Sequence, residues 1–111
     1  MFTVKKNENG DVLAIHLQGI LSSEHIEDLD QFANSLDFSS VKRIKFMLPE
    51  LQLITSVGVR SLIQFFRESK KHDVDFWLVG ARQQILDVLE VVDLLTLLQV
   101  APHENDIPPL S

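Results

Sequence analysis

No cysteine occurs among the 111 residues, which excludes disulfides, thiolate metal sites and thiol chemistry. Glycine is scarce as well. Gly10, Gly19, Gly58 and Gly80 stand alone, so no glycine-rich loop is available to cradle a phosphate. No apolar run approaches the roughly 18 residues that a membrane span needs, and none is expected. Residues Met1 to Lys6 lead into polar Asn7-Glu8-Asn9 and do not read as a signal peptide. Positive charge is in deficit, with ten basic against sixteen acidic residues for a net charge of −6. That balance opposes nonspecific nucleic-acid binding, which draws its affinity from neutralising phosphates. It favours protein partners with basic patches. A cytoplasmic protein that binds no nucleic acid is the expectation.

What is present suits one domain. A chain of this length can bury a core without staples, and its 45% apolar and 23% charged residues are ordinary for a globular protein. Residues 2–7 alternate, and Asn9-Gly10 supplies the pair that a two-residue hairpin turn prefers. The partner strand is Val12 to Gln18, closed by Gly19. Ser22-Ser23-Glu24 opens a helix, hydroxyl cap first and acid in the first turn. Ile26, Leu29, Ala33 and Leu36 continue it at helical spacing. After a polar break, Val41 to Leu48 reads as a strand ended by Pro49, which lacks a ladder amide. Its Lys42, Arg43 and Lys45 alternate with apolar residues, the pattern of one solvated face.

Leu51 to Phe66 is the stretch around which the rest is arranged. An apolar approach ends in Thr55-Ser56, and an amphipathic helix opens around Val57 and Gly58, with Val59, Leu62, Ile63 and Phe66 on its core face. Val57 and Phe65 extend that face at its periphery. Arg67, Lys70 and Lys71 suit the helix's C-terminal end. Val74 to Val79 is the near-continuous apolar run of an interior strand covered on both faces, with Trp77 in the core. A third helix spans about Arg82 to Val92, carrying Ile85, Val88, Leu89 and Val92, with Leu86 and Val91 extending its apolar face. Leu94 to Val100 reads as a helical turn and then a short edge strand. The order is β-β-α-β-α-β-α with an optional last strand: an α/β fold whose mixed sheet of four or five strands begins with a hairpin. Residues 1–100 form the domain, and 101–111 read as a flexible tail.

Candidate chemistry is sparse. His16, His25, His72 and His103 lie on separate elements without ligand spacing. Glu24, Glu27, Asp28 and Asp30 gather where the first helix's dipole favours acids. No active site is assembled, so neither enzymatic activity nor a cofactor or metal is expected. The hydroxyl pair remains. Thr55 or Ser56 is the N-cap of the second helix, or Ser56 accepts a phosphate on an exposed docking surface; the spacing leaves both open.

Ile54-Thr-Ser-Val-Gly-Val-Arg60 resembles the Ile-Ser-Ser-Ala-Gly-Leu-Arg form of the signature of STAS domains, the anti-sigma factor antagonist family. Phe76 to Arg82 and Ile85 to Glu90 resemble that family's fourth strand and final helix. The likeness covers about nine tenths of the chain and implies a single-domain STAS-like fold. It further implies binding to an anti-sigma factor that is a serine kinase, broken when a serine at the start of the second helix is phosphorylated. The matching position is Ser56, with Thr55 as the second candidate, and Thr55, Ser56, Val57, Gly58 and Arg60 as the partner-binding set. The sequence departs from the signature twice: Thr55 replaces an aspartate, and Met47 stands where many members carry another. The family also includes accessory subunits without a phosphorylation cycle, among them small partners of lipid-transport ATPases. A homodimer stays open.

Overall fold

The structure is a computed structural model that describes residues 2–92 and 96–110. In chain order it contains β1 (Phe2–Lys6), β2 (Val12–Leu21), α1 (Ser23–Ser35), a 3-10 turn (Phe38–Ser40), β3 (Arg43–Ile54), α2 (Ser56–Lys71), β4 (Asp75–Val79), α3 (Gln83–Val91), β5 (Gln99–Ala101) and a second 3-10 turn (Glu104–Asp106). The five strands lie side by side in sequence order, β1 antiparallel to β2 and the rest parallel. Each β-α-β step therefore advances one strand in the same direction. With right-handed crossovers this places all three helices on one face. Leu13, Ile44 and Phe76 are aligned across the sheet, as are Ile15, Phe46 and Leu78. These residues share one buried cluster with Leu29, Leu62, Phe65, Ile85 and Leu89 from the helices.

The strand ends differ from the sequence reading in three places. The hairpin connection runs from Asn7 to Asp11, and only Gly10 of the Asn9-Gly10 pair has positive φ, so it is not a two-residue turn. Asn7 organises this loop: its side-chain oxygen accepts from the amides of Asp11 and Val12, and its amide group donates to Asp11. β2 does not stop at Gly19; the register shifts between Gly19 and Ile20 and pairing continues to Leu21. β3 likewise runs through Pro49 to Ile54. The ladder with β4 ends at Met47, and the register with β2 shifts between His16 and Gln18, so no partner requires an amide from Pro49. Ser22 caps α1 by position only, without a side-chain hydrogen bond.

Among the described residues no α-helix covers the outer face of the sheet, which corrects the expectation that β4 is covered on both sides. Trp77 lies there, half-buried, outside the core. Its indole N–H donates to Asp75 Oδ2 at 2.8 Å, Arg43 Nε donates to the same oxygen at 2.7 Å, and Gln99 Nε2 donates to Oδ1 at 2.9 Å. Burial pushes the Asp75 pKa up, but these hydrogen bonds and the charge of Arg43 outweigh it and hold the carboxyl below its ordinary value. The stabilisation is therefore full above the unfolded-state value, about 3.9, and is lost as pH falls through the lower folded-state value. Asp75→Asn should lower stability at neutral pH by about 1–3 kcal/mol and flatten the acid limb of a denaturation-against-pH curve. An unchanged acid limb would show that Asp75 is not the group lost there.

Beyond β4, Val92 is exposed and Val91 is 85% exposed, so neither joins the core face of α3. Leu94 and Leu95, which begin the stretch read as a turn and edge strand, lie outside the described residues; the strand itself is β5.

Candidate functional site

The carboxyl ends of β2 and β3 project past the ladder that β3 makes with β4, and α2 starts where they end. Thr55 fixes that start. Its amide donates to Leu21 O at 3.0 Å, and its hydroxyl donates to the same carbonyl at 3.2 Å. The hydroxyl oxygen accepts from the Gly58 amide at 3.4 Å, and the Thr55 carbonyl receives Val59 N at 2.9 Å. Thr55 is thus the N-cap, partly buried and engaged as both donor and acceptor. Ser56 is the first helical residue and is exposed, and its hydroxyl has no hydrogen-bond partner among the described residues. The two hydroxyls differ sharply, the cap role falling to Thr55 and the exposed position to Ser56.

Gly58 is buried because α2 begins against the end of β2. A Cβ built there would lie 2.6 Å from Leu21 O and 2.9 Å from Ile54 Cγ1. Arg60 is exposed on the solvent side of α2, without an ion-pair partner among the described residues. It lies four residues after Ser56, so the two share a helix face at neighbouring turns. Val57 is exposed and is not core periphery.

Near this helix start lies an apolar set of which the sequence reading identified only Val57. Ile20 and Leu53 are register partners at the tips of β2 and β3, 46% and 47% exposed, and Val57 is 36% exposed. Three of the seven exposed large hydrophobic residues among those described thus lie at the end of the molecule where α2 starts. Clustered exposure of this kind marks interaction surfaces. Val57 carried a sequence signal as an apolar residue outside the main helical stripe, and Leu53 belonged to the apolar approach to Thr55; Ile20, beyond the strand end expected at Gly19, gave none. Met47, the other position where the signature carries an acid, is buried on the outer side of β3 beside Val79. Among the described residues no group of histidine, aspartate and glutamate could hold a metal ion, and no helix is long and apolar enough to cross a membrane.

Solved structures with the same architecture include an anti-sigma factor antagonist from Mycobacterium paratuberculosis, at a TM-score of 0.82 and 16% identity, covering 96% of this chain and 88% of that one. The phosphorylated form of the Bacillus cell fate determinant SpoIIAA aligns at 0.75 and 19% identity, over 95% of each chain. A sulfate transporter family protein from Wolinella succinogenes aligns at 0.76 and 15% identity, over 86% of this chain and 80% of that one. At such identities these likenesses establish the fold alone. No curated protein sequence matches the chain. The STAS domain family model matches residues 3–107, nearly the whole chain, and on that match this protein belongs to the STAS domain family.

Proposed function

We propose that this protein is an anti-sigma factor antagonist, binding an anti-sigma factor kinase through the start of α2 and switched off by phosphorylation of Ser56. The observation that carries the reading is the contrast between the paired hydroxyls. Thr55 is tied into the helix cap, whereas Ser56 stands exposed and unpartnered beside exposed Val57, at the end of the molecule where the strand tips carry exposed Ile20 and Leu53. The fold likeness to anti-sigma factor antagonists, one of them in a phosphorylated form, supports it.

The physics of the switch is local. A phosphoryl group adds about −1.5 to −2 charges near neutral pH. The amides and dipole at the start of α2, with Arg60 one turn along, accommodate that charge in the free protein. A partner that docks over the start of α2 would have to desolvate that charge. Phosphorylation therefore spoils docking without unfolding the domain. Arg60 acts as a partner-binding group alongside Ser56 and Val57, while Thr55 and Gly58, bonded to each other in the cap, hold the start of the helix in place.

Incubation with ATP and the cognate kinase, followed by mass spectrometric mapping, should place phosphate on Ser56 and none on Thr55. Ser56→Asp should bind the kinase at least about tenfold more weakly, about 1.4 kcal/mol, with an unchanged melting temperature. Equal affinity of the variant and the wild type would overturn the switch. Thr55 and Met47, standing where the signature carries acids, favour a second reading: a STAS accessory or scaffold subunit that docks constitutively through the same surface. Absence of phosphate at both hydroxyls, with kinase-independent binding retained, would select it.

A further inference from the structure

We propose that the outer face of the sheet is a second docking groove, fitted to an acidic peptide, and that residues 103–110 of the chain fill it in cis. Arg43 and Lys45 occupy successive outward positions on β3, yet their side chains are only 11% and 19% exposed. What covers them is the segment after β5. Glu104 Oε2 pairs with Lys45 Nζ at 2.7 Å, and the Pro108 carbonyl accepts from Arg43 Nη2 at 2.7 Å. Asp75 already holds the Nε of Arg43, so the guanidinium is oriented with another nitrogen presented to the crossing segment. Lys45 and Arg43 thus read a carboxylate and a backbone carbonyl four residues apart. Lys45 neighbours Trp77 on β4, which adds an aromatic surface beside the two cations.

The attachment is detachable by construction. Among the described residues these two bonds are the only hydrogen bonds that tie 103–110 to the sheet; its backbone bonds are local, Asp106 N to His103 O and Ile107 N to Glu104 O. Glu104 is 51% exposed, so its ion pair is open to screening by salt. A cavity of about 310 Å³ remains between this segment and the sheet, bordered by Met47, Pro49, Val79, Pro102 and His103. A partner segment with an acidic residue followed at the same spacing by a proline can take the same two contacts. It competes against a tethered occupant whose local concentration is high. This groove is separate from Ser56, and its test does not depend on that site.

The probe is a fluorescein-labelled peptide of residues 102–110, titrated into the full chain and followed by anisotropy. Glu104→Lys in the protein, which repels Lys45, should speed amide exchange over 103–110 and raise peptide affinity at least about tenfold over the wild type. That affinity should fall as salt rises. Combining Glu104→Lys with Lys45→Glu re-forms the pair with its charges exchanged, so exchange should slow and peptide binding should be lost. Emission from Trp77, the only tryptophan, should shift on release and return on peptide binding. Unchanged exchange in Glu104→Lys would overturn the proposed clasp. Faster exchange without peptide binding would overturn the groove.

Discussion

Phe65→Ala should destabilise the protein by about 3–5 kcal/mol, the usual loss when a buried phenylalanine leaves a cavity. Folding free energies of domains are about 5–15 kcal/mol, so this one change should remove a large share. Phe65 is 1% exposed, and its ring meets Phe46 edge-on at 5.0 Å between centroids. Phe32 lies at 6.4 Å and Phe38 at 6.1 Å. The residue therefore joins β3, α1 and the 3-10 turn to α2, and those neighbours cannot collapse together to fill the gap. Phe66 is the internal control. It is partly buried at the flank, with Phe76 at 5.8 Å and Lys70 Nζ over its ring at 5.6 Å. Urea denaturation of both alanine variants decides the matter: a Phe66→Ala loss as large as that of Phe65→Ala would mean α2 is seated on the wrong face.

Gly58→Ala sets two opposing effects against each other. Alanine gains about 1 kcal/mol over glycine in helix propensity, whereas overpacking costs about 1–3 kcal/mol. The contact decides the sign. The nearest atom to the new Cβ is a backbone oxygen at 2.6 Å, and that oxygen is pinned by both the amide and the hydroxyl of Thr55. It cannot rotate away as a side chain would. A net loss of up to about 2 kcal/mol is expected, together with displacement of the start of α2 and, on the function proposed above, weaker kinase binding. A melting temperature at or above that of the wild type would show that the strand end yields more easily than its hydrogen bonds imply.

These two positions also show what the sequence could and could not disclose. Element order and the hydroxyl pair were legible, because hairpin alternation and helical periodicity are local properties. The rotation of α2 about its axis was legible only in part. Apolar spacing found Val59 and Leu62 but favoured Phe66 over Phe65, and the buried side of the helix also includes Gly58, Ser61 and Ser69. Those three residues are small or polar and carry no weight in a count of hydrophobic positions. They are buried because Ser61 donates to Asp30 on α1 and Ser69 donates to the carbonyl of Phe65, so neither hydroxyl is left unsatisfied. Pro49 misled for a related reason. Proline ends a strand only where a neighbour requires its amide, and whether a neighbour does depends on where β4 stops, about thirty residues further on. The contacts of Glu104 and Pro108 were invisible for the same cause: each joins residues about sixty apart.

The arrangement of the strands carries one more consequence. β5, three residues long, closes one rim of the sheet, and the five residues of β1, with Lys5 and Lys6, close the other. A second copy zipping onto either rim would gain few ladder bonds and, at β1, would have to accommodate two lysines on the edge. Self-association by strand addition is thus discouraged at both ends, and any pairing of two molecules is left to their broad faces.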